Sequence, residues 1–234
     1  MSRVAPNNDW RQRTWIVLAA YNEASRLGAV LAEVCARYPQ VVVVDDGSRD
    51  GTAEIARQYP VWLLQHAVNL GQGAALQTGI TFALRCGAEI VVTCDADGQH
   101  QASDIERLVA PILEDRADVV LGSRFLGEAV NIPLLRRLVL RLGVWFTRWT
   151  TGLAVTDTHN GLRALHRRAA LALRIRQNRM AHASEILHQI RQQGWRYCEV
   201  PVTIRYDAAT LAKGQSTWNA LRIVGELFLG WLVR

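Results

Sequence analysis

The sequence is poor in the features that build disulfide-linked, zinc-stapled or membrane-spanning proteins. Its 234 residues include four cysteines, and no two of them form a C-x-x-C pair. This excludes a zinc ribbon or a disulfide scaffold and predicts reduced thiols in a cytoplasmic protein. The longest stretch without Asp, Glu, Lys or Arg, residues 58–84, is interrupted by Gln, His, Asn and Thr, which argues against a membrane-spanning helix. Residues 1–13 lack the apolar segment of a signal peptide and are interpreted as a polar tail.

The charge that is present is distributed unevenly along the chain. The net charge is +6, yet residues 1–128 hold 11 basic and 16 acidic side chains. Residues 129–184 hold ten arginines against a single acid, Asp157. So basic a segment predicts a partner that carries phosphate, which leaves nucleic acid, an anionic membrane and a phosphorylated substrate as alternatives.

Short β-branched segments alternate with helix-length segments in the first half of the chain. Because the strand segments are apolar throughout, they are typical of a sheet buried on both faces, and the alternation predicts a mainly parallel open α/β sheet. Ser103 and Glu106 are spaced as a helix capping box. Strands are predicted at 14–20, 40–45, 61–65, 89–94 and 118–121, with helices near 24–38, 51–59, 72–86 and 103–114.

Two amphipathic helices are predicted in the second half, over 132–150 and 217–234. In the first, Arg136, Arg137, Arg141 and Arg148 share one face, and the leucines and tryptophans are expected on the opposite face. Two interpretations stay open for this helix: it lies at a bilayer interface, or it packs its apolar face on the sheet. The C-terminal helix could extend that surface, pack on the domain or pair two subunits.

Carboxylates follow three of the predicted strands. Glu23 comes after the first strand, Asp45 and Asp46 end the second, and Asp95 and Asp97 end the fourth. Since the carboxyl ends of parallel strands meet at one edge of a sheet, these groups are expected to lie together. Clustered carboxylates repel one another and favour a cation such as Mg²⁺ or Mn²⁺, while Asp46 is placed to accept hydrogen bonds from a base or ribose.

Seven short motifs follow one another along the chain. Four lie in the first half, namely Ala20-Tyr21-Asn22-Glu23, Val43-Val44-Asp45-Asp46-Gly47-Ser48, Asn69-x-Gly71-x-Gly73 and Asp95-Ala96-Asp97-Gly98-Gln99-His100, and three follow, namely Gly122-Ser123-Arg124-Phe125, Asp157-x-x-x-Gly161-Leu162-Arg163 and Glu199-Val200-Pro201-Val202. In this order and spacing, the first four resemble the motifs of glycosyltransferase family 2. The last three resemble those of its polyprenyl-phosphate branch, which contains the dolichol-phosphate mannose synthases.

The resemblance implies an A-type glycosyltransferase fold, a GDP- or UDP-sugar donor, a divalent metal (Mg²⁺ or Mn²⁺) and a polyprenyl-phosphate acceptor. It implies one domain over 14–216, with a donor half at about 14–128 and an acceptor half at about 129–216. By motif position, catalysis falls to Asp97, Arg124 and Asp157, and the metal to Asp95, Asp97 and Gln99. The acceptor phosphate falls to Arg124, Arg136, Arg137 and Arg205. The donor-binding residues implied are Ala19, Tyr21, Glu23, Val44, Asp45, Asp46, Gly71, Asp95, Ala96, Asp97 and Gln99.

The expected reaction inverts the anomeric carbon of the sugar, and the expected location is the inner face of the cytoplasmic membrane, by peripheral contact. A lipid phosphate is already ionised, so it needs no general base. If the acceptor were a sugar hydroxyl, as in polysaccharide synthesis, Asp157 would be the candidate base; alternatively it orients Arg163 or its neighbours. A nucleic-acid-binding module is a remote alternative, because no such motif is present and the donor-side acids would repel a polyanion.

Overall fold

In the computed structural model, the described residues are 10–130, 132, 134–179 and 181–206, and all four cysteines are free thiols. The predicted C-terminal helix at 217–234 and most of the N-terminal tail lie outside the described residues. The strands are β1 (Thr14–Ala20), β2 (Val41–Asp45), β3 (Trp62–Gln65), β4 (Ile90–Asp95), β5 (Val119–Val130), β6 (Arg163–His166) and β7 (Tyr197–Arg205). The helices are α1 (Trp10–Arg13), α2 (Ala24–Cys35), α3 (Thr52–Ala56), α4 (Gln72–Arg85), α5 (Asp104–Leu113), α6 (Leu134–Thr151), α7 (Arg167–Ala172) and α8 (His182–Gln193).

The seven strands form one sheet in the order β3-β2-β1-β4-β6-β5-β7. All neighbouring strands are parallel except for β6, which runs antiparallel to both β4 and β5. In the register, Ala19 of β1 lies beside Asp95 of β4, and Ala20 lies beside Asp45 of β2. The predicted mainly parallel sheet is therefore confirmed, and the carboxyl ends of β1, β2 and β4 meet at one edge.

A hydrophobic core covers each face of the sheet. The first contains Leu27 and Leu31 of α2 together with Ile105 and Leu108 of α5. The second contains apolar residues of α4, α7 and α8. Every residue of β2 is buried, which explains why the strand sequences are apolar throughout rather than alternating.

Two local predictions are corrected by the structure. Strand β5 runs from Val119 to Val130, far beyond the predicted end at residue 121, because it continues past a register irregularity to pair with β7. The capping box is wrong. Ser103 already has helical dihedral angles and its side chain caps nothing, while Glu106 accepts a hydrogen bond from Arg11.

The predicted helix at 132–150 is confirmed as α6, but its faces are arranged differently. Val144, Thr147 and Thr151 face the protein, whereas Leu138, Leu142, Trp145 and Trp149 are exposed, the last two by 66% and 57%. The arginines are not opposite this apolar stripe but beside it: four residues apart, Arg141 and Trp145 are only about 40° apart around the helix. Over the described residues, no helix is long and apolar enough to cross a membrane.

Candidate active site

A cavity of about 540 Å³ opens where β1, β2 and β4 end. It is lined from one side by the β1 and β4 ends, from another by the start of α4, and from a third by β5 and the segment before β6. The lining includes Ala19, Tyr21, Glu23, Asp46, Gly71, Gln72, Asp95, Ala96, Asp97, Gln99, His100, Arg124, His159, Gly161 and Arg179.

Asp95 and Asp97 share this cavity, and their pKa values are shifted in opposite directions. Burial works to raise the pKa of Asp95, but the hydrogen bond with His100 and the charges of His100 and Arg163 hold that pKa below its usual value. Asp95 also accepts a 2.7 Å hydrogen bond from Gln72 Nε2. Burial, and then the charge of Asp95, raise the pKa of Asp97 to about 6. The pair therefore carries a repulsion that a bound cation would relieve.

Gln99 closes the turn around Asp97, because its backbone N–H donates to Asp97 Oδ1 at 3.0 Å. No group of three or more His, Cys, Asp or Glu side chains suited to a metal occurs among the described residues. A divalent cation at Asp95 and Asp97 would therefore complete its shell with oxygens from water or from a ligand. Mg²⁺ and Mn²⁺ bind in this way in phosphate-handling sites, so the residues present fit such an ion.

Gly161 packs directly against the Asp95 carboxyl group. A Cβ atom added to Gly161 would lie 2.2 to 2.4 Å from the two carboxylate oxygens, so no larger residue fits without moving Asp95. Thr93 Oγ1 of β4 donates a 2.8 Å hydrogen bond to the Gly161 carbonyl oxygen, and this bond holds Gly161 beside β4. The Asp157-x-x-x-Gly161-Leu162-Arg163 motif therefore contacts the Asp95 carboxylate through Gly161.

Arg163 lies beneath the cavity and is 3% exposed. Burial lowers its pKa, and the nearby charges of Asp95 and Asp157 counteract that effect. Its Nη1 atom has no hydrogen-bond partner among the described residues. Burial, together with the same positive charge, lowers the pKa of His182 to about 4, so this histidine is neutral at pH 7.

Two of the predicted donor residues, both in β2, do not line the cavity. Val44 is fully buried in the core. Asp45 turns back to its own loop and accepts hydrogen bonds from Ser48 N at 3.0 Å and from Gln65 Nε2 at 3.3 Å. Successive side chains of a strand point to opposite sides, so only one of two adjacent aspartates can face the opening. Here it is Asp46.

Asp46 lines the cavity, but its carboxylate is already engaged by the chain. Its Oδ1 accepts from Leu70 N at 3.0 Å and lies 2.7 Å from His66 Nδ1, and its Oδ2 accepts from Gly71 N at 2.7 Å. Asp46 therefore holds the loop that leads into α4 and places an anion at the N-terminus of that helix. The other predicted donor residues Ala19, Tyr21, Glu23, Gly71 and Ala96 do line the cavity.

On the other side of the cavity, the Arg124 guanidinium group is held by three hydrogen bonds. Its Nε donates to Asp157 Oδ2 at 2.6 Å, its Nη1 donates to the Tyr206 hydroxyl, and its Nη2 donates to the His159 carbonyl oxygen at 3.0 Å. Asp157 does not line the cavity, and it also accepts from the backbone N–H groups of Arg124 and His159. The candidate base is therefore corrected: Asp157 positions Arg124 rather than facing a substrate.

Two of the remaining predicted acceptor residues, Arg137 and Arg205, do not line the cavity. Arg205 ends β7 and is exposed, although its neighbour Ile204 is part of the lining. Arg137 is exposed on α6. Arg136 belongs to the same helix, but its side chain is not among the described parts of the chain.

Several lining residues were not found by sequence reasoning. Gln72 and His100 contact Asp95, and both lie inside recognised motifs, so their position within those motifs was the available signal. Arg179 and His159 come from loops whose spacing carries no signal. Tyr206 was missed because its partner Arg124 is 82 residues away in sequence.

A sheet in this order, with paired carboxylates after β4 and a cavity at the strand ends, has the A-type glycosyltransferase fold. The structure of glucosyl-3-phosphoglycerate synthase from Mycobacterium tuberculosis in complex with Mn²⁺, uridine diphosphate and glucosyl-3-phosphoglycerate superposes with a TM-score of 0.66. It is 19% identical and the match covers 86% of this chain and 75% of that one.

The sequence comparisons define the family. The model of glycosyl transferase family 2 matches residues 15–170, and the chain belongs to that family. It is 31% identical to the UDP-N-acetylglucosamine–dolichyl-phosphate N-acetylglucosaminyltransferase of Methanococcus voltae, over 92% of this chain and 94% of that protein. It is 30% identical to the undecaprenyl-phosphate mannosyltransferase of Micrococcus luteus, over 82% of this chain and 83% of that protein.

Proposed function

We propose that this protein transfers a sugar from a nucleotide-sugar donor to a polyprenyl phosphate at a membrane surface. The relatives from Methanococcus voltae and Micrococcus luteus carry names that describe this reaction. The observation that carries the proposal is the cavity itself, which places the Asp95–Asp97 pair on one side and Arg124 on the other. Donor and acceptor phosphates would meet between them.

On the donor side, the nucleoside would lie beside Tyr21, Glu23 and the loop before α4, whose backbone N–H groups Asp46 binds. Asp95 and Asp97 would hold Mg²⁺ or Mn²⁺, with Gln99 beside them. When bound, such an ion neutralises the diphosphate and favours its departure. Asp97 must lose its proton to bind a cation, and Gln72, His100 and Gly161 keep Asp95 in place for the same purpose.

On the acceptor side, the engagement of Asp157 favours an acceptor that is already ionised. A sugar hydroxyl would need a general base, but Asp157 is bonded to Arg124 and His159 and lies away from the cavity. A lipid phosphate needs no such group. Arg124 would present its unused N–H bonds to that phosphate, held in orientation by Asp157 and Tyr206.

Helix α6 would bring the cavity to the membrane surface. Trp145 and Trp149 stack with ring centroids 6.4 Å apart and planes 6° from parallel, and both are exposed. The exposed Arg137 and Arg141 lie beside them. Tryptophan beside arginine on an outward helix face is typical of an interfacial helix, with the arginines reaching lipid phosphates. The expected peripheral location at the inner face of the cytoplasmic membrane depends on this contact between α6 and the lipid.

The test is transfer of radiolabelled sugar into organic solvent. Purified protein is incubated with Mn²⁺, undecaprenyl phosphate and one of UDP-N-acetylglucosamine, UDP-glucose or GDP-mannose. Label that partitions into the organic phase, and that is absent with the Asp97→Asn variant, supports the proposal. Label that appears only in water-soluble oligosaccharide supports the sugar-to-sugar alternative and contradicts the lipid acceptor.

A further inference from the structure

Among the described residues, two arginines line the cavity, and they differ in how far their charge is neutralised. Arg124 is buried and bonded to Asp157, Tyr206 and His159. Arg179 also lines the cavity but is exposed, and within the described part of the chain its guanidinium group has neither a hydrogen bond nor an ion pair. Of the two lining arginines, Arg179 therefore holds the charge that no protein group offsets.

The stem of Arg179 is fixed against the start of α4, on the donor side of the cavity. A Cβ atom added to Gly71 would lie 3.1 Å from Arg179 Cγ and 2.3 Å from the Asn178 carbonyl oxygen. That carbonyl oxygen accepts a 2.8 Å hydrogen bond from Gly73 N. Arg179 is thus held beside the loop that Asp46 organises, and Arg124 comes from β5 on the other side.

The helix N-terminus beneath Arg179 has little capacity left for an anion. Gly71 N donates to Asp46 and Gly73 N donates to Asn178, so these amide groups are occupied. The cavity lining also includes four carboxyl groups, those of Glu23, Asp46, Asp95 and Asp97. A nucleoside diphosphate entering here meets mainly negative charge, and it needs a cationic side chain in addition to a metal ion.

We propose that Arg179 binds the diphosphate of the nucleotide donor and stabilises it as the leaving group. This inference rests on the proposed sugar transfer. In that reaction an oxygen of the acceptor phosphate forms a bond to the anomeric carbon, and the bond from that carbon to the diphosphate oxygen breaks. The electron pair of the broken bond stays on the diphosphate, where a guanidinium group binds the added charge.

The inference is tested by calorimetric titration of the full chain with UDP and GDP, and separately with the matching nucleoside, in the presence of Mn²⁺. In Arg179→Met we expect affinity for the diphosphate to fall about tenfold or more, because a charge-assisted hydrogen bond is lost. Affinity for the nucleoside is expected to stay unchanged. Arg179→Lys keeps the charge and is expected to recover part of the loss. Arg176→Met, an exposed arginine outside the cavity lining, is the matched control.

The outcomes separate this inference from the proposed function. If wild type binds UDP or GDP and Arg179→Met binds it equally well, the assignment of Arg179 is wrong while the transferase proposal stands. If only the KM for undecaprenyl phosphate rises, Arg179 serves the acceptor phosphate, and the donor assignment is likewise wrong. If wild type binds neither nucleotide, both proposals fail.

Discussion

The two sides of the cavity handle buried charge in opposite ways. On the donor side, Asp95 and Asp97 are neighbouring carboxyl groups, and the pKa of Asp97 is raised to about 6. On the acceptor side, Arg124 and Asp157 form an ion pair with an N–O distance of 2.6 Å, both almost completely buried. The donor side is left short of positive charge, and the acceptor side is neutralised within the protein.

This difference indicates what each side requires from its ligands. A carboxylate pair without a full counter-charge is stabilised when a cation arrives. An arginine already paired with an aspartate is positioned for a contact but contributes little net charge to it. The donor side should therefore depend on added metal, and the acceptor side should depend on the internal geometry that Asp157 and Tyr206 impose.

The largest expected effect comes from removing one charge of the donor pair. Asp97→Asn takes away a proposed metal ligand and should lower transfer about a thousandfold or more, because metal-assisted departure of the diphosphate is lost. The same change removes a buried negative charge together with its repulsion with Asp95, so the metal-free protein should become more stable at pH 7.5, by about 2 kcal/mol. Label transfer and thermal unfolding measure the two effects.

Glu54→Gln serves as the control for that variant, since Glu54 is exposed and paired only with Arg57 on the surface. It should change neither quantity. Full transfer activity in Asp97→Asn, or in wild type with excess EDTA, would contradict the metal assignment.

A smaller but still large loss is expected from Gly161→Ala. The added methyl group would overlap the Asp95 carboxylate and push it from its position, so transfer should fall about a hundredfold, a typical effect of a displacement of about 1 Å. Mn²⁺ affinity, measured by calorimetry, should fall in parallel.

Gly143→Ala is the matched glycine variant, because a Cβ there would meet its nearest neighbour at an ordinary 3.6 Å. It should keep activity and stabilise α6 by about 0.5–1 kcal/mol through helix propensity. If Gly161→Ala binds Mn²⁺ and transfers sugar like wild type, the position of Asp95 does not depend on a glycine at position 161.

The donor half could be predicted well from sequence because its determinants are local. Continuous apolar strands predicted β1, β2 and β4, and the topology of parallel sheets placed their terminal carboxylates together. The sequence could not show which of the adjacent residues Asp45 and Asp46 faces the cavity. In the structure Asp45 accepts a hydrogen bond from Ser48, whereas Asp46 lines the cavity and accepts one from Leu70.

The acceptor half was less predictable because it depends on distant contacts. The four-residue strand β6 has too short a pattern to stand out, although it carries Arg163. For α6, periodicity located an apolar stripe, but it could not tell which stripe faces the protein. Val144, Thr147 and Thr151 do so, leaving the tryptophans outside. Asp157 was a candidate base because it is the single acid of a basic segment, and the sequence could not show that it is bonded to Arg124, 33 residues away.

A pH dependence follows from the raised pKa of Asp97. A metal ion binds the ionised carboxylate, so Mn²⁺ affinity should be constant above about pH 7 and fall up to tenfold per unit below pH 6. For the metal-free protein the sign is opposite. Because the folded-state pKa exceeds the unfolded value, the contribution of Asp97 to stability is fully present below about pH 4 and is lost as the pH rises through 6.

Calorimetry with Mn²⁺ at pH 5, 6 and 7.5 measures the affinity, and urea unfolding of wild type and Asp97→Asn without metal measures the stability difference between them. A stability difference that does not grow between pH 4 and 7 would show that Asp97 has an ordinary pKa. The two sides of the cavity would then differ less in how they carry buried charge.

The smallest effect is expected on the acceptor side, at the exposed face of α6. Trp145→Ala combined with Trp149→Ala removes two outward aromatic rings without touching the buried face at Val144 and Thr147. Partitioning onto vesicles that contain anionic lipid should fall about tenfold, since each ring contributes apolar contact at the interface. Vesicle flotation measures the change, and nucleotide binding in solution should be unaffected.

Trp62→Ala is the control, because Trp62 is 52% exposed but lies on β3, at the far edge of the sheet from β7. Arg137→Gln alone should weaken partitioning by about 1 kcal/mol, and the effect should shrink as salt is added. If the tryptophan variant floats like wild type but sediments as a smaller species, the exposed stripe joins two copies of the chain. The lipid would then reach Arg124 by a route that α6 does not provide.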